Sequence, residues 1–361
     1  CAAADPIPPN RAAPPLDGTI ALFLIQDGIT NGAIYALLAV ALVLVFAVTR
    51  VILIPQGDFV TYGGLSLAAL EMGRVPGSAA MLLALAAAAM LMDLVAARRD
   101  MRLRRIGGIL LRTIVPAGII AGAVYLLAPL KLGPLVSILL SILLVVPMGP
   151  FLYRIAFQPL ARASVLVLLI ASVGAHLALT GLGLVFFGAE GYRTAPLIDA
   201  NFQIGPLFVS AQSLLVLAAT FVLLTLLSVF FGRTLIGKAL RASAINQRGA
   251  RIVGISTEMS GKIAFAMAAA IGIVSAILIA PLTTLYYDSG FLIGLKGFVA
   301  AIIGGLSAYV PAVGAAFLLG IVESFSSFWA SAFKEVIVFM SILPFLLWRS
   351  FSSPPHDDEE E

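Results

Sequence analysis

The sequence predicts an all-α fold, a polytopic transmembrane helical bundle of about ten or eleven membrane segments. Three observations predict it. Of 361 residues, 61% are hydrophobic and 11% charged, whereas a soluble domain carries about 25% charged residues; the mean hydropathy is +1.09. Several uninterrupted apolar runs reach the roughly 20 residues that an α-helix needs to cross about 30 Å of hydrocarbon, too long for barrel strands. Lys and Arg gather in short stretches between the runs instead of forming one stripe, so the net charge of +4 reads as membrane topology and not as nucleic-acid binding.

The chain opens on Cys1 and "AAADPIPPNRAAPPLDG", a Pro-rich polar stretch expected to form a flexible extracytoplasmic leader over residues 1–18. A removed signal peptide would leave such a terminus; lipid on Cys1 and an arbitrary boundary are the alternatives. Apolar runs follow at about 19–49, 59–74, 78–97, 107–128, 134–153, 163–188, 208–231, 262–283, 289–306, 310–330 and 335–349, giving a transmembrane domain over 19–350. The acidic end, 351–361, reads as a solvated tail. Cys1 is the single cysteine, which leaves nothing for an internal disulfide or a cysteine metal site.

Orientation follows from the basic stretches. "ARRDMRLRR" (Arg98, Arg99, Arg102, Arg104, Arg105), the pair Arg154 and Arg162, and the interval 232–262 are each separated by an even number of crossings, so all three can share the cytoplasmic side. The loop from Gly188 to Pro206 then falls outside, as does the N-terminus, and the C-terminus falls in the cytoplasm.

Two places read as broken helices, "IPQGDFVTYGG" with Pro55, Gly57 and Asp58, and "APLTTLYYDSG" with Pro281, Thr283, Thr284 and Asp288. They lie in oppositely directed halves, the trace a weak inverted repeat would leave around a midplane cavity; interfacial turns would give the same pattern. Small residues in "GLKGFVAAIIGG" and "VGAAFLLGIVES" suit close helix packing or room for a solute.

Catalytic chemistry has no visible constellation. "GRTLIGKA" approaches a phosphate loop, but Ala239 replaces the hydroxyl residue that holds magnesium and an apolar helix precedes it where the motif needs a strand. His176 and His356 are the two histidines, too few for zinc, and no nucleophile elbow is present. An enzyme is therefore not expected. Ionisable residues inside apolar runs are costly and point to function. The candidates for a translocation path are Gln56, Asp58, His176, Thr283, Thr284, Lys296 and Glu323. Lys296 and Glu323 could pair with each other, or sit near headgroups. His176 reads first as a helix-packing polar residue and second as a ligand.

The longest polar interval, "GKALRASAINQRGARIVGISTEMSGK", parses into two short helices, about Leu235 to Ile245 and Gln247 to Val253, with Asn246 as N-cap and Gly254 as the left-handed stop. Helices this short need a support. Anionic lipid could supply it through Lys238, Arg241, Arg248 and Arg251. Alternatively the pair docks into a groove on a soluble partner with Ala242, Ala244, Ile245, Ala250 and Val253 inserted.

"RASAINQRGARIVGISTEMSGKIAF" resembles the cytoplasmic coupling segment of permease subunits of branched-chain amino-acid ABC transporters, the Liv-type inner-membrane permeases. Arg241, Ala242, Asn246, Ala250, Gly254 and Ile255 stand at the matching positions, with Arg251 beside them. "NGAIYALLAVALVLVF", "YRIAFQPLARASVLVLLIASVG" and "GLKGFVAAIIGGLSAYVPAVGAAFLLGIVESFSS" agree in order, so the resemblance covers most of the chain outside 1–20 and 78–132. Residues 78–132 look like two added spans, and "IPQGDF" departs from the family's usual turn.

The resemblance implies an importer of branched-chain or other small neutral amino acids in a bacterial inner membrane. Its partners would be a second, homologous permease subunit, two ATPase subunits docked on Arg241–Ile255, an extracytoplasmic substrate-binding protein and membrane lipid. No cofactor is implied for this chain, since ATP and magnesium would sit on the ATPases. Family cousins carry urea or short amides, and an ATP-independent facilitator or channel is the competing class.

Overall fold

The computed structural model describes residues 17–96, 103–205, 207–306 and 308–352. Most of the leader, Arg98, Arg99, Arg102 and the acidic tail from residue 353 lie outside the described residues.

The chain is helical nearly throughout. In order come α1 (Gly18–Thr49), α2 (Gln56–Glu71), α3 (Gly77–Ala96), α4 (Leu103–Leu127), α5 (Pro134–Val145), α6 (Met148–Leu152) continued by a π-turn over Tyr153–Phe157, and α7 (Val165–Phe187). A short antiparallel hairpin, β1 (Asn201–Ile204) and β2 (Leu207–Ser210), leads into α8 (Ala211–Arg233), α9 (Leu235–Ile245), α10 (Gln247–Ile252) and α11 (Thr257–Ile279). The chain closes with α12 (Ser289–Ile303), α13 (Tyr309–Trp329), α14 (Lys334–Met340) and α15 (Ile342–Ser352).

Among the described residues eight helical stretches are long and apolar enough to cross a membrane, as the all-α bundle requires. The shorter apolar α12, with α2 and the α14–α15 pair, accounts for the remaining apolar runs of the sequence. The segment expected as one run over 335–349 is broken at Ser341, just before Pro344, whose ring cannot continue a helix without losing a backbone bond. The hairpin was not foreseen; alternating Asn-Phe-Gln-Ile and Leu-Phe-Val-Ser around Gly205 (φ 61°) is its signal in retrospect.

α1 is the axis of the bundle. It packs against α13, α11, α12, α2 and α8 and is buried almost continuously from Ala33 to Val45. α7 and α8 instead present Leu166, Leu177, Val185, Phe221 and Leu226 outward, as expected for helices bordering lipid or another membrane protein. Arg154 donates through Nε to Asp93 at 2.7 Å and lies 3.9 Å from Glu258, which holds Lys262 at 3.2 Å. The ends of α3, the π-turn and the start of α11 therefore meet at one end of the bundle, here called the basic end. At the other end the loop before the hairpin is tied to the α11–α12 connection: Tyr192 and Leu285 exchange backbone bonds at 2.9 Å, and Arg193 Nε donates to the Pro281 carbonyl at 2.9 Å.

Both expected helix breaks are present, with one shift of boundary. The first break is residues 50–55, entered through left-handed Arg50 (φ 61°). Pro55 precedes α2, so Gly57 and Asp58 form its first turn and do not interrupt it. The second is residues 280–288, ahead of α12.

Candidate functional site

Three consecutive N-caps shape the basic end of the chain after α8. Thr234 caps α9 by accepting from the Gly237 amide at 3.0 Å, Asn246 caps α10 by accepting from Gly249 at 2.9 Å, and Ser256 caps α11 by accepting from Met259 at 3.2 Å. Each cap satisfies an amide that the first helical turn leaves open. Gly254 adopts φ 86° and the Ile255 amide donates back to the Ala250 carbonyl at 2.9 Å, which ends α10 as expected. The support for these short helices comes from the bundle. Leu240 packs with Leu44, Val48, Phe231 and Ala264, and Gln247 Nε2 donates to the Val48 carbonyl at the end of α1 at 2.8 Å.

What the segment offers outward differs from the sequence expectation at one position. Ala250 is buried, 4% exposed, against its own chain and cannot enter a partner's groove, and Ala242 is half-buried. Ile245, Ile252 and Val253, exposed by 84%, 86% and 74%, form the apolar tip. Arg241, Arg248 and Arg251 are exposed around it, and Arg251 Nε is steadied by the Thr257 hydroxyl at 2.9 Å. The reason is geometric: in one and a half turns of helix, the Asn246 cap and the Gly254 stop leave one face for the chain and one for solvent.

The path candidates fall into two buried groups and an exposed remainder. α2 and α12 cross near their N-termini through glycines: a Cβ on Gly57 would collide with the Gly290 carbonyl, and one on Gly294 would meet the Gly57 Cα at 2.9 Å. Beside this crossing His176 Nδ1 lies 2.9 Å from Asp58 Oδ2, and the imidazole stacks on Phe291 with centroids 4.7 Å apart. Gln56 Nε2 donates to the Ala268 carbonyl at 3.1 Å, while Gln56 Oε1 and Thr61 Oγ1 are buried without a partner among the described residues. The Ile54 amide, freed by the helix break, donates to the Ser172 hydroxyl at 2.9 Å. Such side-chain substitution is how broken helices are tolerated away from water.

The second group joins α1, α12, α13 and α14. Lys296 Nζ is 2.6 Å from Glu323 Oε1 and 3.2 Å from Glu335 Oε1, and Lys334 lies 3.5 Å from both carboxylates. Tyr35 donates to Glu323 Oε2 at 2.5 Å. The expected pairing of Lys296 with Glu323 is present; Tyr35, Lys334 and Glu335 were missed, though Tyr35 brings a hydroxyl into the apolar stretch that follows Asn31. Thr283 and Thr284 are exposed in the connection before α12, apart from both groups.

A model of the branched-chain amino acid transport system permease component matches residues 78–347. The chain belongs to this permease family. The permease is 27% identical over 216 residues to the high-affinity branched-chain amino acid transport system permease protein BraD of Pseudomonas aeruginosa, covering 58% of this chain and 70% of BraD. It is 25% identical over 201 residues to the corresponding permease protein LivH of Escherichia coli and of Salmonella typhimurium, covering 54% of this chain and 65% of each relative. No solved structure matches it. The family match includes the capped segment, His176, Lys296 and Glu323, and runs through 78–132; Gln56 and Asp58 precede it.

Proposed function

We propose that this permease is the membrane-spanning subunit of an ABC importer that moves branched-chain or other small neutral amino acids across a bacterial inner membrane. ATP would be hydrolysed by two separate ATPase subunits, a second homologous permease would complete the pathway, and an extracytoplasmic binding protein would deliver substrate. The chain itself is a transporter subunit and not an enzyme. In this reading the basic end and the C-terminus face the cytoplasm and the N-terminus faces outward.

The observation that carries the proposal is the capped segment Thr234–Ser256. It presents Ile245, Ile252 and Val253 beyond the bundle with arginines at the rim, and Gln247 fastens it to the end of α1. An apolar tip with a charged rim is the form of a docking element, and its attachment to the central helix gives a partner's movement a route into the bundle. Gln56, Asp58 and His176 are the proposed path residues. The cavity beside them, between Ile54 and Phe291, is about 10 Å³, which holds a water at most, so this conformation would be closed to substrate there.

The test uses the assembled transporter in proteoliposomes. Ile252→Asp, at an exposed position, should lower ATP-driven uptake about tenfold or more, the scale of losing an interface anchor, while membrane insertion and thermal unfolding of the permease stay unchanged. Undiminished uptake would remove the docking assignment.

A further inference from the structure

A large cavity lies at the basic end, away from both path groups. Its volume is about 610 Å³, and it opens where α4, resting on α3 and α5, diverges from α6, the π-turn and α11. Ile109 and Phe151 give it apolar wall, and Arg112, Arg154 and Lys262 give it positive charge. Each cation sits one to two helical turns inside the end of a different span, so three separate helices deliver charge to one level of the bundle.

The charges are unequally matched. Asp93 is taken by Arg154, and Glu258, at the rim, is shared between Lys262 at 3.2 Å and Arg154 at 3.9 Å. Arg112 has no carboxylate partner among the described residues. Among the described residues the crevice thus holds three cations against two anions. An unmatched guanidinium inside an apolar span is costly unless it reaches water or meets an anion, and its planar fork suits phosphate oxygens.

We propose that this crevice binds the phosphate of an anionic phospholipid headgroup. Phosphate chemistry fits the cations. A lipid source fits the surroundings, because the exposed face of α4 next to the crevice carries Leu110, Leu111, Val115 and Ile119, a surface along which acyl chains can lie. In sequence, the stretch between α3 and α4 carries Arg98, Arg99 and Arg102, and the first turn of α4 carries Arg104 and Arg105; dense basic charge at the end of a span attracts anionic lipid. The α3–α4 hairpin then has a role: it clamps a lipid against the body of the permease.

The experiment is native mass spectrometry of the full chain in detergent with equal amounts of phosphatidylglycerol and phosphatidylcholine, with thermal unfolding as a check on folding. The wild type should retain phosphatidylglycerol preferentially. Arg112→Gln should reduce that retention about five- to tenfold, Arg112→Lys should keep most of it, and Arg162→Gln, an exposed arginine outside the crevice, should leave it unchanged. If Arg112→Gln does not fold, Lys262→Gln carries the same expectation. Equal retention of the two lipids, or an equal loss in Arg162→Gln, overturns the site. Excess inorganic phosphate should not displace the lipid; displacement would show a soluble-phosphate site and overturn the lipid assignment.

Discussion

Asp58, in the first turn of α2, and His176, midway along α7, place a carboxylate oxygen and an imidazole nitrogen 2.9 Å apart in the interior of the bundle. The contact joins a half-length helix to one whose opposite face is open. Removing one member of a buried pair costs more than replacing both. His176→Leu is expected to destabilise the permease by roughly 3 kcal/mol or more, and adding Asp58→Asn should recover part of that loss. Thermal unfolding of the three variants in one detergent checks this; a double variant less stable than His176→Leu would show that the pair contributes nothing by pairing.

Glu323 accepts from Tyr35 and Lys296 and has Lys334 at 3.5 Å. Hydrogen bonds to charged groups contribute about 1.5–3 kcal/mol, so Tyr35→Phe should cost an amount in that range. Lys334→Met, at a partly exposed position, should cost less, because surface pairs contribute about 0–1 kcal/mol. The reverse order in thermal unfolding would place the anchoring of Glu323 on Lys334.

The glycine crossing makes a sharp contrast. Gly57→Ala and Gly290→Ala each drive a methyl into the other helix's backbone, and overpacking of this kind costs typically 1–3 kcal/mol or more. Gly118→Ala and Gly122→Ala on α4 meet nothing within 4 Å and should leave the folded yield unchanged or slightly raised, since alanine favours helix. Monodispersity on size-exclusion chromatography distinguishes them, and a well-behaved Gly57→Ala would mean that α2 and α12 can separate at little cost.

The turn at α10 depends on its two ends. Asn246→Ala removes a cap worth about 1 kcal/mol, and Gly254→Ala forces a side chain into a left-handed conformation at about 1–2 kcal/mol. Amide exchange of residues 247–253 should quicken about fivefold or more in either variant, with exchange in α1 unaltered. Unchanged exchange at α10 would mean that Gln247 and the packing of Ala250, and not the caps, hold it.

The segment around α10 was legible because its information is local: Asn246 and Gly254 act within one or two turns, and their roles follow from residue type. The boundaries of α9 and the start of α10 follow from the same signals. Ala250 was misread because facing inward or outward on a six-residue helix depends on the neighbouring spans, which no local pattern records. Likewise the apolar runs marked the spans, while partners across the bundle were out of reach: Asp58 and His176 are 118 positions apart and Tyr35 and Glu323 are 288 apart. Cost inside a membrane singled out His176, Lys296 and Glu323, and the broken helix singled out Asp58. The pairing of Lys296 with Glu323 was expected from the sequence, whereas that of Asp58 with His176 required three dimensions, and Tyr35 escaped notice because its hydroxyl carries no formal charge.

The position of α1 has a consequence for how the molecule is made. This helix emerges from the ribosome ahead of every element that later encloses it, and its most extensive neighbours, α13, α11 and α12, are among the last to be synthesised. Until they arrive the flanks that they later cover can face lipid, which the apolar run from Ala33 to Val45 permits. Assembly is therefore a wait followed by a late enclosure, and an error in α11–α13 would strand an α1 that has already been inserted.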